Sequence, residues 1–157
     1  MALADNDGEG RDLWKEKSIH KGGIWKRQIN GVWWCLLSPS EEFRKVMERF
    51  AIEPRFWPFT IENAFPAALR FEARAEGAYT LAKVPQVDFF RDQGLVDRIA
   101  ETTANLPEDD PALLYLLRPT TEAKDAFAAW ITSPARLTPD NYASFGTILT
   151  RLKDVIA

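Results

Sequence analysis

The spacing of apolar and polar positions changes along the chain, and each change marks an element. In residues 24–37, IWKRQINGVWWCLL, two apolar-rich runs flank Asn30-Gly31, a pair that tolerates the positive φ values of a two-residue type I′ turn. Counting outward from that turn pairs Ile29 with Val32, Gln28 with Trp33, Arg27 with Trp34, Lys26 with Cys35, Trp25 with Leu36 and Ile24 with Leu37. The second strand is apolar on both faces, as a strand covered on two sides must be, while the first carries polar residues on both. The second is therefore expected inside a sheet, and the first nearer its edge.

Before the hairpin, residues 1–11 are small, polar and acidic and are expected to be a frayed tail, leaving 12–157 as one globular domain. Residues 13–21 read as a short helix or an extended lead-in, broken by Gly22-Gly23. After it, Ser38-Pro39-Ser40-Glu41 predicts a helix over 39–50, with Ser38 as N-cap, Pro39 at the first helical position and Phe43, Val46, Met47 and Phe50 inward.

Residues 69–84 alternate with period two, with Leu69, Phe71, Ala73 and Ala75 on one side and Arg70, Glu72, Arg74 and Glu76 on the other. This predicts a second hairpin turning at Glu76-Gly77. A helix over 66–76 closed by Gly77 competes, because alanine favours helix. Helical spacing follows over 87–105, with Gly94 as an interruption. The apolar run 112–117, ALLYLL, reads as a fifth, buried strand stopped by Pro119. Thr120 or Thr121 caps a helix over 121–132 that carries Phe127 and Ile131 inward. A last helix over 139–156 places Tyr142, Phe145, Leu149, Leu152 and Ile156 on one stripe, either buried in the core or forming the seam of a homodimer. The expected class is α+β: an antiparallel sheet from two β-hairpins, 24–37 and 69–84, with helices packed largely on one side.

At 157 residues, 46% hydrophobic and 27% charged, the chain is long enough to bury a core without metal or disulfide staples. The single cysteine, Cys35, has no intramolecular disulfide partner. The N-terminus is acidic where a secretory signal is basic and then apolar, and no run approaches the ~18 uncharged apolar residues of a membrane helix, so a cytoplasmic protein with no membrane partner is expected. The net charge of −3 is uneven: residues 11–55 hold ten Lys or Arg against six Asp or Glu, and residues 56–157 hold ten against fourteen.

Chemistry is sparse. No glycine-rich phosphate loop follows a strand, and one histidine with one cysteine excludes the usual His/Cys metal clusters, so no cofactor, metal ligand or catalytic residue is nominated. Glu108, Asp109 and Asp110 lack the spacing of a calcium loop and read as a solvated turn. The sharpest enzyme reading is a nucleophilic pair of Cys35 and His20, yet a mid-strand thiol between Trp34 and Leu36 reads as a small buried hydrophobe. A carboxylate pair such as Glu62 with Glu72 is of a kind any chain with 23 acidic residues offers.

Binding is better represented than catalysis. Residues 52–65, IEPRFWPFTIENAF, crowd aromatics between Pro54 and Pro58, to plug the core or to form an apolar ledge. On the ledge reading Trp33, Arg55, Phe56, Trp57 and Phe59 are anchors of a small acidic, non-catalytic protein-interaction module, such as an inhibitor, immunity-type, chaperone or adaptor subunit. The alternative is a nucleic-acid-binding accessory subunit using Lys15, Lys17, Lys21, Lys26 and Arg27 with neighbouring tryptophans. A small enzyme of unknown type is the third reading.

Overall fold

The computed structural model describes the backbone of residues 2–4, 19–21, 24–29 and 32–36, and residues 39–86, 92–146 and 150 with their side chains, that of Arg55 excepted. The chain is α+β. Strands β1 (Ala2–Ala4), β2 (Ile19–Lys21), β3 (Ile24–Ile29) and β4 (Val32–Leu36) form one sheet in the order β1-β4-β3-β2. Strands β3 and β4 are antiparallel, with Ile29 opposite Val32, Gln28 opposite Trp33, Arg27 opposite Trp34 and Lys26 opposite Cys35, the register counted from the Asn-Gly pair. As expected, β4 is interior. Strand β3 is not the edge that its polar residues suggested, because β2 pairs antiparallel with it over Ile24, Trp25 and Lys26. Strand β1 pairs parallel with β4, Ala2 opposite Trp34, so Ala2–Ala4 is a strand where a frayed tail was expected.

Helix α1 (Glu41–Arg49) starts two residues later than the Ser-Pro signal suggests. Ser40 is the N-cap, its hydroxyl accepting the Phe43 N–H at 3.2 Å, and the shift puts Glu41 and Glu42 in the first turn, where the helix dipole favours negative charge. Phe43, Val46 and Met47 are buried. The C-terminus closes as a Schellman motif: Ile52 N–H donates to Met47 O at 2.9 Å and Ala51 N–H to Glu48 O at 3.0 Å, with Ala51 left-handed at φ 51°.

The second predicted hairpin is absent. Helix α2 (Ala67–Ala75) occupies its first arm, and it buries Ala67, Leu69, Arg70 and Ala73 at helical spacing. In so short and alanine-rich a segment the two periods overlap, and helix propensity together with Gly77, left-handed at φ 76°, decides for helix. Its return arm survives in part as β5 (Leu81–Pro85). Helix α3 (Gln93–Ala104) begins where Asp92 accepts the Leu95 N–H at 3.2 Å, so Gly94 lies inside its first turn and interrupts nothing; positions 87–91 of the predicted helix lie outside the described residues.

The expected fifth strand over 112–117 is instead the short helix α4 (Leu113–Leu116), all four residues buried, followed by strand β6 (Leu117–Pro119). A short apolar run carries no periodicity that separates strand from buried helix. Strands β5 and β6 pair antiparallel as a separate two-stranded sheet. Helix α5 (Thr121–Ile131) is capped by Thr120, which accepts the Ala123 N–H at 3.2 Å. Of the last predicted helix, 143–146 is helical and its positions 147–149 and 151–156 lie outside the described residues.

Aromatic rings organise the core. Phe43 meets Trp57, Phe59 and Tyr115 edge-on, with centroids 5.7, 4.9 and 5.6 Å away. Phe65 meets Phe127 at 5.4 Å, Tyr142 at 5.5 Å and Phe145 at 5.1 Å, so the start of the C-terminal stripe packs within the chain. Each such pair contributes about 0.5–1.5 kcal/mol beyond the area it buries.

Candidate docking groove

Helix α2 ends at Ala75, and after the left-handed Gly77 the chain runs into β5, which contacts α3. Between them a groove of about 390 Å³ remains, lined by Arg74 of α2, Leu81 and Lys83 of β5, Ala100, Thr103 and Ala104 of α3, then Leu106, Glu108, Leu113 of α4 and Leu117 of β6. That size falls within the range of roughly 300–1,000 Å³ typical of ligand pockets. Strand alternation accounts for Leu81 and Lys83 sharing the groove side, and helical spacing for Ala100 with Ala104. Two alanines four residues apart on α3 leave the space that larger side chains would fill.

Four leucines and two alanines share the lining with polar and charged groups. Thr103 turns its hydroxyl back on its own helix, donating to Ile99 O at 2.8 Å and Ala100 O at 3.1 Å, so it adds little polarity. Charge lies on the walls. Arg74 donates from Nη1 to the backbone carbonyl of Glu108 at 3.2 Å, which ties α2 to the loop after α3. Lys83 is exposed and has no ion-pair partner among the described residues. Two cations and the carboxylate of Glu108 thus border these apolar side chains.

One turn before Arg74, Arg70 is fully buried. Its Nη1 donates to Asn63 Oδ1 at 3.0 Å and to Leu114 O at 2.9 Å, and its guanidinium lies over the Tyr115 ring. Its Nε and Nη2 have no hydrogen-bond partner, nor do Tyr115 OH and Glu62 Oε2. Burial pushes the Tyr115 and Tyr79 hydroxyls above their ordinary value, against the opposing pull of Arg70. This cluster joins α2 to α4 and the 61–64 turn, and it acts as an interior strut.

Of the sequence-nominated anchors, Phe56, Trp57 and Phe59 have described side chains, and these three do not share one exposed surface. Phe59 has 0% exposure and belongs to the core, which removes it from any ledge. Trp57 is half-buried against Phe43, with its indole N–H donating to Ile52 O at 2.9 Å. Phe56 borders a second, more open depression of about 330 Å³ with Glu53, Asp92, Leu95 and Arg98. The side chains of Arg55 and Trp33 lie outside the described residues. The proline-stiffened loop is chiefly a core plug.

Of the nucleic-acid candidates, Lys15 and Lys17 lie outside the described residues, while Lys21 stands on β2 and Lys26 and Arg27 on β3, known by backbone alone. Strand β3 separates His20 on β2 from Cys35 on β4, two strand spacings or roughly 10 Å, and Cys35 is in register with Lys26 while His20 is in register with Trp25. The register does not bring this pair together. Glu62 and Glu72 face different cations, Lys124 at 3.8 Å and Arg136 respectively. Asp110 holds Arg49 at 3.0 Å and caps the Ala112 N–H at 2.9 Å, a structural use of the acidic turn. No group of three or more His, Cys, Asp or Glu suited to a metal occurs among the described residues. None of their helices is long and apolar enough to cross a membrane.

The groove leaves no motif in the sequence. Its only local signal is the Ala100/Ala104 spacing, which by itself means close packing. Comparison with protein families, curated proteins and solved structures finds no match to this chain.

Proposed function

We propose that the protein is a non-catalytic docking module that receives a segment of a partner protein in the groove between α2, β5, α3 and β6. One observation carries this reading: the groove brings Leu81, Leu106, Leu113 and Leu117 together with two cationic side chains, Arg74 and Lys83, in a space that the fold leaves open. An apolar side chain seated against these leucines gains about 25 cal/mol for each Å² it removes from water, and charged groups on the rim set its orientation. The single cysteine agrees with work in a reducing compartment such as the cytoplasm. On this reading the docking surface lies in the groove, whose lining includes no residue of the Trp57 loop.

A photo-crosslinking residue in place of Ala104, which is exposed on the groove wall, should capture a partner. The partner, purified, should bind the wild-type protein and lose at least tenfold in affinity to Ala104→Trp, with the thermal melt unchanged. Equal affinity for both proteins, or no crosslinked partner, contradicts the proposal.

A further inference from the structure

We infer that the segment accepted by the groove is acidic: an apolar side chain flanked by carboxylates, with Lys83 and Arg74 as their counter-charges. This rests on the docking reading above and adds the partner's chemistry. The argument is charge complementarity. Lys83 stands exposed on the wall without an ion-pair partner among the described residues, and Arg74 has committed Nη1 to a backbone carbonyl, so neither cation is neutralised by a carboxylate bridge there. Glu108 supplies a single opposing charge, and the groove is left net positive on a chain whose formal charge is −3. At physiological ionic strength the screening length is about 8 Å, so a carboxylate in the groove responds most to the charges that line it, Arg74, Lys83 and Glu108. Arginine offers a planar fork to a carboxylate and lysine a mobile point charge, which together suit two carboxylates on either side of a buried leucine-like group.

The test uses three capped peptides with one apolar centre: acetyl-Glu-Glu-Leu-Leu-Glu-Glu-amide, its all-Gln counterpart and its all-Lys counterpart, titrated into the full chain by NMR. The Glu peptide should bind at least fivefold tighter than the Gln peptide, with the Lys peptide weakest, and the advantage should shrink as salt rises. Lys83→Glu, an exposed change that leaves the fold intact, should cost the Glu peptide at least fivefold and reverse the order of Glu and Lys peptides. Equal binding of Glu and Gln peptides overturns the acidic specificity and leaves apolar docking standing. Binding of none of the three overturns both. Preference for the Lys peptide means that Glu108 dominates, and overturns the inference alone.

Discussion

The guanidinium carbon of Arg70 lies 4.2 Å from the centroid of the Tyr115 ring, inside the protein. A buried cation without a carboxylate bridge is costly, and here the aromatic face, the Leu114 carbonyl and Asn63 share the compensation. A lysine at this place keeps the charge but loses the stacked plane and the directed N–H groups. Arg70→Lys should therefore destabilise by at least ~2 kcal/mol and by more than Arg70→Met, which removes the buried charge altogether. Urea unfolding of the two variants ranks them, and a more stable lysine variant contradicts this account of the strut.

Burial opposes the ionisation of the Tyr79 and Tyr115 hydroxyls and moves it above the ordinary tyrosine value, so stability depends on pH in the alkaline range. A group that holds its proton more tightly when folded gives its full stabilisation below its unfolded value, about 10 for tyrosine, and loses it as pH climbs past that value toward the folded one. Stability should hold up to about pH 10 and then fall, and the fall should be shallower in the Tyr79→Phe, Tyr115→Phe double variant. Thermal melts from pH 8 to 11 make the comparison; parallel curves for the two proteins contradict it.

Two helices end in the same Schellman geometry with different residues at the left-handed position, Ala51 after α1 and Gly77 after α2. The left-handed conformation costs a residue with a Cβ about 1 kcal/mol relative to glycine. Ala51→Gly should raise stability by about 0.5–1 kcal/mol and Gly77→Ala lower it by about 1 kcal/mol. Opposite signs in chemical denaturation confirm the assignment of both caps. Two changes of the same sign contradict it.

Trp57 separates the core-plug reading from the ledge reading. Its ring packs on Phe43 and its N–H bonds Ile52 O, so Trp57→Ala should destabilise by about 2–4 kcal/mol while the folded protein keeps its affinity for groove peptides. Affinity loss without loss of stability restores the ledge.

Legibility in the sequence followed how local each signal was. The Asn30-Gly31 pair and the apolar-rich runs that flank it specify β3 against β4 residue by residue, because a two-residue turn leaves one register. Thr120 and the acidic residues after Ser40 mark helix starts through contacts within four positions. Arg70 shows the limit. Nothing in its neighbours says that a charged residue will be buried, and placing it outside turned α2 into a strand. The same holds for Phe59, whose exposure depends on Phe43, sixteen positions earlier, and for the groove, whose walls come from segments around positions 74, 83, 104 and 117. Such sites are products of tertiary packing.

Chemical-shift mapping shows whether a partner segment docks in the groove. With acetyl-Glu-Glu-Leu-Leu-Glu-Glu-amide added to ¹⁵N-labelled protein, amide shifts should concentrate at Leu81, Lys83, Ala100, Thr103 and Ala104. Shifts concentrated instead around Phe56 and Trp57, or spread without focus over the described residues, contradict docking in the groove.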